Sequence, residues 1–227
     1  MASQLSIIIP TFDEERSIEQ TLVSIQAYAP DAEILVVDGG SSDSTVSIAS
    51  RHARVITTKR GRGGQLNAGV AATHGNILLF LHADTLPENK GIDELLTVMQ
   101  DGSIDGGAFR MHFDDKHLIY HRICESITRR SLRTKSYTGD QAIFTRRSTF
   151  QRLNGYQDWP FMEDVDYSER MGKAGNVMLL TSEVETSARR HQRWGLPRTQ
   201  LTVVLIRVLY LLKVHPARYE WLWPPIR

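Results

Sequence analysis

Acidic side chains follow three predicted strands at the points where the strands end. Glu14 comes after the run SIIIPT, Asp38 ends the run ILVVD, and Asp84 follows the run LLFL. Carboxylates gathered at one edge repel one another unless a cation or a hydrogen-bonding ligand neutralises them. Ribose hydroxyls and base N–H groups donate to carboxylates, and hard divalent cations prefer carboxylate oxygens. The pattern indicates a site for a nucleotide, a metal ion or both, with turn formation as the alternative for Asp38.

A basic stretch, KRGRGG, follows the third predicted strand and supplies cations to the same region. Lys59, Arg60 and Arg62 can meet phosphate groups from the side opposite the acids. The stretch lacks both G-x-G-x-x-G and the P-loop pattern, and the first turn, TFDEE, has no glycine. We therefore do not expect a standard dinucleotide or P-loop site.

Alternating apolar runs and helical patterns must position these side chains. In the first half, strands are predicted over Leu5–Pro10, Glu33–Asp38, Arg54–Thr57 and Asn76–Leu81. Helices are predicted between them, over Ser17–Ala29, Ser44–His52 and Gln65–Ala72. Continuous apolar strands joined by helices predict an α/β fold with a mostly parallel central sheet flanked by helices. Ligands of such sheets bind beyond the carboxyl ends of the strands, where the acids are expected.

The second half has a less regular pattern. Strands are predicted over Asp105–Asp114, Gln141–Thr145, Asn176–Leu180 and Glu183–Ala188. Helical segments are predicted over His117–Leu132, Arg147–Leu153, Asp164–Ala174 and Pro197–Lys213. No repeat, low-complexity tract or linker interrupts the chain, so residues 1–227 are expected to form a single domain.

Composition and charge limit the function classes. The formal net charge of +1 argues against a nucleic-acid binder, which would normally carry a basic excess. The single cysteine, Cys124, is interpreted as core and fits a reducing compartment, so a cytoplasmic location is expected. The apolar run Leu5–Ile9 is too short for a signal peptide. The run Leu201–Leu212 is broken by Arg207 and falls short of the roughly 20 residues of a membrane span.

Four segments, in this order, resemble the family 2 glycosyltransferases. They are SIIIPTFDEE, ILVVDGGSSDST, GRGGQLNAG with ILLFLHADT, and GYQDWPFMEDVDYSERMGKAG. The wording LLFLHADT and the closing TSARRHQRWG look like a small bacterial subgroup found near radical-SAM and selenium-related proteins. The resemblance implies the GT-A fold and an inverting, nucleotide-sugar-dependent enzyme. Residues 1–104 would be its Rossmann-like nucleotide-sugar-binding half, 105–195 its acceptor and catalytic half, and 196–227 a C-terminal helix.

The resemblance also implies which residues bind the donor, expected to be a UDP sugar. The base, the ribose and the diphosphate would lie against Thr11, Phe12, Glu14, Asp38, Arg60, Gln65, Asn67 and Asp84. Asp84 is the last acid of the family's D-x-D element, which would hold Mn²⁺ or Mg²⁺. The first acid of that element is replaced here by His82, which suits Mn²⁺ better than Mg²⁺ as a ligand. The alternatives for His82 are a position facing into the sheet or simple hydrogen bonding.

The resemblance further implies a catalytic acid in the segment MEDVDYSERMGKAG. The general base would be Asp164, with Glu163 as second choice, although acids in the first turn of a helix also serve as simple helix chemistry. Asp166 is instead expected to pair with Arg170, four residues on. His191, after the last predicted strand, is a third candidate metal contact, with a solvated basic loop as the alternative.

The apolar C-terminal helix leaves the partners open. It can pack on the domain, form a homodimer, or lie as a peripheral contact on the inner face of the membrane, where a lipid-linked acceptor would be found. Two other functions compete with glycosyl transfer. One is nucleotidyl transfer, and the other is binding of a nucleotide sugar without catalysis, which the His82 replacement makes thinkable. A membrane-adsorbed scaffold built on the last helix is a non-enzymatic possibility.

Overall fold

A computed structural model describes residues 4–224 of the chain. Residues 1–3 and 225–227, the ends of the predicted domain and of the predicted C-terminal helix, lie outside the described residues. The described part is an α/β fold whose eight-stranded sheet has the order β3-β2-β1-β4-β7-β6-β8-β5. The strands are β1 Leu5–Thr11, β2 Glu33–Asp38, β3 Arg54–Thr57, β4 Ile77–Phe80, β5 Thr85–Pro87, β6 Ile104–Phe113, β7 Phe144–Arg146 and β8 Asn176–Thr186.

Helices cover the sheet. They are α1 Ile18–Tyr28, α2 Thr45–Ala49, α3 Arg62–Ala71, α4 Gly91–Val98, α5 Leu118–Thr134, α6 Arg147–Arg152, α7 Glu163–Ala174, α8 Arg189–Trp194 and α9 Leu196–Leu211. Three short 3₁₀ turns complete the description, at Gly139–Gln141, Pro216–Arg218 and Glu220–Leu222.

The first half is parallel, as the sequence predicts. β1 pairs in parallel with β2 and β4, and β2 pairs in parallel with β3. The register places Thr11 opposite Asp38 at the ends of β1 and β2. Because the apolar residues of these strands are buried, the strands fix where the polar turns emerge, and those turns share one edge of the sheet.

The second half departs from the predicted elements in three places. The sequence does not predict β5 and α4, because TLP is too short to show a period and only three residues separate it from GIDELLTV. The two predicted closing strands are one strand, β8, which pairs in parallel with β6. A register shift between Ala108 and Arg110 accommodates the extra β8 residues before Glu183, and this bulge caused the sequence pattern to look broken.

The predicted strand over Gln141–Thr145 is also displaced. Its first residue, Gln141, ends the 3₁₀ turn Gly139–Gln141, and the strand β7 begins at Phe144. β7 is antiparallel to both β4 and β6, so it joins the parallel half to the second half of the sheet. Helical packing follows apolar spacing, as in α1, where Ile18, Leu22 and Ile25 face the core.

The C-terminal segment is not one helix to residue 227, as the resemblance implied. α9 ends at Leu211, Lys213 has a φ of 58°, and Pro216 begins a 3₁₀ turn, so the chain turns back on itself. Ile206 and Tyr219 then pack with Phe161 of the loop before α7. Within residues 4–224, no helix is both long and apolar enough to span a bilayer.

Candidate active site

A cavity of about 930 Å³ opens beyond the carboxyl ends of β1 and β4. Its other walls come from α5, α9 and the start of α7. Most of the residues expected at a site line it, namely Thr11, Phe12, Glu14, Arg60, Gln65, His82, Asp84, Asp164 and His191. Four expected residues do not line it, namely Asp38, Lys59, Asn67 and Glu163.

Asp84 faces an arginine from the far end of the chain. The guanidinium of Arg189, at the start of α8, lies 3.2 Å from the Asp84 carboxylate. The same guanidinium donates to both Glu14 oxygens, at 2.9 and 2.6 Å. Burial raises the pKa of Asp84, although the charge of Arg189 opposes this shift. The acids that end β1 and β4 are thus gathered around one cation, as their expected repulsion requires.

His82 is engaged on both ring nitrogens. Its Nδ1 lies 3.1 Å from the Asp140 carboxylate, and its Nε2 lies 3.2 Å from Nη1 of Arg62. Burial works to lower the pKa of His82, but the contact with Asp140 outweighs it and the pKa is raised. Because Arg62 can only donate, Nε2 accepts in this arrangement and Nδ1 carries the proton toward Asp140. His82 therefore faces polar partners rather than the sheet interior.

Asp140 is the functional candidate that the sequence analysis missed. It lies in the turn TGDQ, where Thr138 and Gln141 form a capping box. This sequence pattern indicates the start of a turn and does not indicate a functional site. Although burial opposes the shift, His82 and Arg62 lower the pKa of Asp140 to about 2. The contact joins residues 58 positions apart in sequence, so no local pattern could have found it.

Asp164 and Glu163 open α7 in different surroundings. Asp164 lines the cavity, and its Oδ2 accepts a hydrogen bond of 2.6 Å from the backbone N–H of Gly139. Glu163 is fully buried, and its carboxylate forms an ion pair of 2.5 Å with Nε of Arg62. Burial raises the pKa of Glu163, and the charge of Arg62 opposes that shift. Only Asp164 of the two is placed to touch a molecule in the cavity.

Asp38 and Gln65 are candidates for contact with the donor, and their side chains form hydrogen bonds with the backbone. The Asp38 carboxylate accepts hydrogen bonds from the N–H groups of Gly40 and Ser41, so it forms its own turn. The Gln65 amide donates to the carbonyls of Thr11 and Val37 and ties α3 to β1 and β2. Gln65 also lines the cavity, whereas Asp38 is buried beneath it.

Asn67 and the Asp166–Arg170 pair hold the loop before α7. Asn67 exchanges two hydrogen bonds of 2.9 Å with the backbone of Tyr156. Arg170 pairs with Asp166 at 2.7 Å, as its spacing predicts, and donates to the carbonyl of Gly155. These contacts position the segment that carries Asp164.

Phe12 and His191 have aromatic or cationic neighbours. The guanidinium of Arg60 lies 4.2 Å from the centre of the Phe12 ring, a cation–π contact at the cavity wall. His191 lies on α8 rather than in a loop, with its ring 5.0 Å from Phe113 and 5.5 Å from Tyr120. Burial lowers the pKa of His191. No group of three or more His, Cys, Asp and Glu side chains within residues 4–224 is arranged to hold a metal ion.

A sequence model described as "Glycosyl transferase family 2" matches residues 6–157 of this chain. The chain belongs to the family 2 glycosyltransferases. The matched part includes β1, β2, β4, β7 and the basic stretch, and it ends just before α7. The cavity beyond the carboxyl ends of β1 and β4 is accordingly the candidate active site of this family member.

Named relatives agree with this membership. Glycosyltransferase AglD of Haloferax volcanii is 26% identical over 168 residues, which cover 68% of this chain and 26% of AglD. The probable glycosyltransferase YdaM of Bacillus subtilis is 28% identical over 198 residues, which cover 76% of this chain and 47% of YdaM. The chain thus spans half or less of the length of these two relatives.

Solved structures show the same GT-A fold. A mannosyltransferase from Pyrobaculum calidifontis, in complex with GDP-Man and Mn²⁺, superposes with a TM-score of 0.70 at 18% identity, over 91% of this chain and 63% of that one. TarS of S. aureus in complex with UDP-GlcNAc superposes with a TM-score of 0.65 at 16% identity, over 82% of this chain and 59% of that one. The α/β expectation and the GT-A expectation are both confirmed.

Proposed function

We propose that this family 2 glycosyltransferase moves a sugar from a nucleoside-diphosphate sugar, with UDP as the expected nucleotide, to an acceptor hydroxyl with inversion. The observation that carries the proposal is the position of Asp164. It offers a carboxylate to the same cavity that Asp84 and the basic residues line. The printed complexes of the structural neighbours, with GDP-Man or with UDP-GlcNAc, support a nucleotide sugar as donor.

The donor side of the cavity would combine a stacking surface with cations. The Phe12 ring, backed by Arg60, offers an apolar face for a base. Arg62 and Arg189 are cations at the mouth, each already balanced by protein carboxylates. A diphosphate that binds there would compete with the protein carboxylates for these two arginines. This competition would make binding sensitive to salt.

A divalent cation, Mn²⁺ or Mg²⁺, would find two protein carboxylates as ligands at this site. Asp84 and Asp140 both line the cavity, and the charge of Asp140 adds to burial in raising the pKa of Asp84. Mg²⁺ is commonly held by one or two carboxylates together with substrate phosphates, so a closed protein cage is not required. Asp84 and Asp140 would hold the ion, while His82 has both nitrogens engaged. When bound, such an ion neutralises charge on a departing diphosphate.

The reaction would be one displacement at the anomeric carbon. The acceptor oxygen forms a bond to that carbon, the bond from the carbon to the diphosphate oxygen breaks, and the acceptor proton passes to the Asp164 carboxylate. The hydrogen bond from Gly139 fixes the position of Oδ2, and the first turn of α7 holds Oδ1 through the N–H of Val165. Arg62 and Arg189 place positive charge near the leaving group.

Family membership bears on the choice between glycosyl transfer, nucleotidyl transfer and binding without catalysis. It favours glycosyl transfer over nucleotidyl transfer, and a binding protein without catalysis would still need to hold the donor. The lipid-linked acceptor, homodimer and membrane contact stay predictions. One relative that covers part of this chain is an undecaprenyl-phosphate 4-deoxy-4-formamido-L-arabinose transferase of Yersinia enterocolitica, which supports the lipid-linked option.

Calorimetric titration of UDP, with and without Mn²⁺, tests the proposal. We expect binding that is tightened by Mn²⁺ and that is lost in Asp84→Ala. Asp93→Ala is the matched control, because Asp93 is exposed in the first turn of α4. Silence toward UDP and GDP in the wild-type protein would overturn the donor assignment. Binding that survives Asp84→Ala would overturn the metal assignment alone.

A further inference from the structure

Two side-chain nitrogens of Arg130 are buried in the cavity wall without a hydrogen-bond partner among the described residues. Arg130 lies on α5, and the two nitrogens are Nε and Nη2. Arg122 and Ser126 precede it at intervals of four residues, so all three face the cavity from one side of the helix. A guanidinium has five N–H donors, and leaving buried donors of a charged group unsatisfied is costly.

A second cation reinforces the first. Arg207 lines the same wall from α9. Burial first, and then the charge of Arg207, lower the pKa of Arg130 to about 10. Burial also lowers the pKa of Arg207. Asp164 and Glu169 act on both arginines through charge alone, so neither guanidinium group has a direct anionic partner among the described residues.

The pair is separate from the donor cations. Arg62 and Arg189 are bound to carboxylates at the ends of β1 and β4 and the start of α7, whereas Arg130 and Arg207 line the cavity from α5 and α9. Around the pair the wall is apolar, with Ile123, Ile127, Val203 and Ile206. An apolar surrounding strengthens the attraction of an unpaired cation for an anion.

We propose that Arg130 and Arg207 form an anion-binding subsite that takes a phosphate ester of the acceptor. The inference rests on the proposed function, because it places the acceptor on the α5–α9 side of Asp164. Each of the two planar guanidinium groups can bind two phosphate oxygens. This binding would satisfy the N–H donors that have no partner in the cavity wall. The acceptor would thus carry both a phosphate group, held by the arginines, and a hydroxyl, presented to Asp164.

The phosphate can belong to a free molecule or to a lipid headgroup. Val204, Val208 and Leu211 line the cavity and are also exposed on α9, so an apolar surface continues outward from the subsite. This surface would suit an apolar chain attached to the phosphate. The chemistry recognised by the arginines is the same in both cases, and the experiment separates the two sources.

Titration with inorganic phosphate tests the subsite directly. The probe is added to wild-type protein, Arg130→Met, Arg207→Met and Arg130→Lys, without metal and with UDP present to cover the donor cations. We expect phosphate affinity to fall at least tenfold in both methionine variants and less in Arg130→Lys, which keeps the charge but not the fork. The control is Arg129→Met, since Arg129 is exposed on α5 and pairs with Glu125.

Vesicles separate the two sources. Phosphatidylcholine vesicles with and without phosphatidic acid are compared. Arg130-dependent binding to the phosphatidic acid vesicles indicates a lipid headgroup. Arg130-dependent binding of inorganic phosphate without vesicle binding indicates a free phosphate ester. Both results support the subsite.

Equal phosphate affinity in wild-type protein and the two methionine variants would overturn the subsite, as would an equal loss in Arg129→Met. Thermal unfolding guards against misfolding, because removal of an unpaired buried cation should leave the melting temperature unchanged or raised. UDP affinity should stay the same in all variants. If UDP fails to bind any of them while phosphate binding still depends on Arg130, the donor assignment fails and the anion subsite stands.

Discussion

Asp164 and Glu163 are adjacent carboxylates with opposite surroundings. Asp164 faces the cavity and accepts hydrogen bonds from the backbone N–H groups of Gly139 and Val165, whereas Glu163 has no exposed surface and is paired with Arg62. The backbone before them is constrained, because Met162 has a φ of 66°, in the left-handed region that a residue with a β-carbon rarely adopts. That turn is what sends one acid outward and the other inward.

Asp164→Asn should abolish turnover and leave UDP binding intact. The amide keeps the shape of the side chain but cannot take the acceptor proton, so a loss of about 10²–10⁴-fold in kcat is expected. Turnover is measured as UDP release from a UDP sugar, with calorimetry for UDP affinity. Undiminished turnover would remove Asp164 from the role of base.

Glu163→Gln is the contrasting variant. It removes the partner of Arg62, so we expect a loss of stability of about 1–3 kcal/mol. A loss of turnover in Glu163→Gln larger than in Asp164→Asn, at unchanged stability, would instead favour Glu163 as the base.

Gly139→Ala should disturb the contact between the turn and His82. A β-carbon at Gly139 would collide with the His82 ring and come within 3.3 Å of the Asp164 carboxylate. We expect the His82–Asp140 contact to break, since the turn must retreat. The measurement is the His82 titration by NMR, whose pKa should fall from its raised value once Asp140 moves away. Gly102→Ala is the control, because its β-carbon would meet nothing within 4 Å. An unchanged His82 titration would show that the turn can yield.

At the scale of elements, the sequence predicts the parallel half well and the second half less well. β1, β2 and β3 follow from β-branched runs bounded by turn residues, and their observed limits match within a residue. β5 and α4 escape prediction because three residues show no period and the helix has no clear cap. β8 reads as two strands because its bulge interrupts the alternation, which only the pairing with β6 makes continuous.

The candidate site also has a part that the sequence predicts and a part that it does not. The acids at strand ends are predictable, because parallel strands bring their carboxyl ends together, and Glu14 and Asp84 do meet at the cavity. Their partner Arg189 is 175 residues from Glu14, so the ion pair is a property of the fold alone. Asp140 is hidden for the same reason. Asp38 and Asn67 hold turns by hydrogen bonds. Their residue types suit ligand contact equally well, so the sequence could not distinguish the two roles.

Arg147 joins the end of α3 to the start of β4, and its loss should destabilise the protein. Its guanidinium donates to the carbonyls of Val70 and Gly75 at 2.7 Å each, and to the Thr73 hydroxyl at 3.2 Å. Hydrogen bonds from charged donors are worth about 1.5–3 kcal/mol each and are not additive, so Arg147→Met should cost about 2–4 kcal/mol. Urea unfolding measures the change.

The matched control for Arg147 is its neighbour on α6. Arg152 pairs with Asp105, but its side chain is half exposed, so Arg152→Met should cost less than about 1 kcal/mol. UDP affinity should be unchanged in both variants, because neither arginine lines the cavity. Equal destabilisation by the two substitutions would contradict the assigned difference in burial and bonding.

At the scale of the whole molecule, several carboxylates are held ionised by hydrogen bonds across elements. Those with a lowered pKa include Glu33, Asp43, Glu94, Asp105 and Asp140. Asp84 and Glu163, at the site, shift the other way because burial raises the pKa of each. The acids at the site therefore differ among themselves, since the pKa of Asp140 is lowered whereas the pKa values of Asp84 and Glu163 are raised.

Glu94 is the clearest probe of this acid response. It lies on α4 and accepts hydrogen bonds from the N–H groups of Thr181 and Ser182, which fasten the helix to β8. Although burial opposes the shift, these bonds lower the pKa of Glu94 to about 2. A lowered folded-state pKa means stability that is present above the unfolded value near 4.3 and lost as the pH falls toward 2.

Glu94→Gln should therefore be less stable than wild-type protein at pH 7, by about 1–2 kcal/mol after allowance for solvent screening. The difference should shrink below pH 4.5 and be largely lost by pH 2, where about half of the wild-type carboxylate is protonated. Urea unfolding at pH 7, 4.5 and 3 measures it, with Glu125→Gln as control because Glu125 lies on the exposed face of α5. A difference that stays constant with pH would mean that Glu94 stabilises the helix by shape rather than by charge.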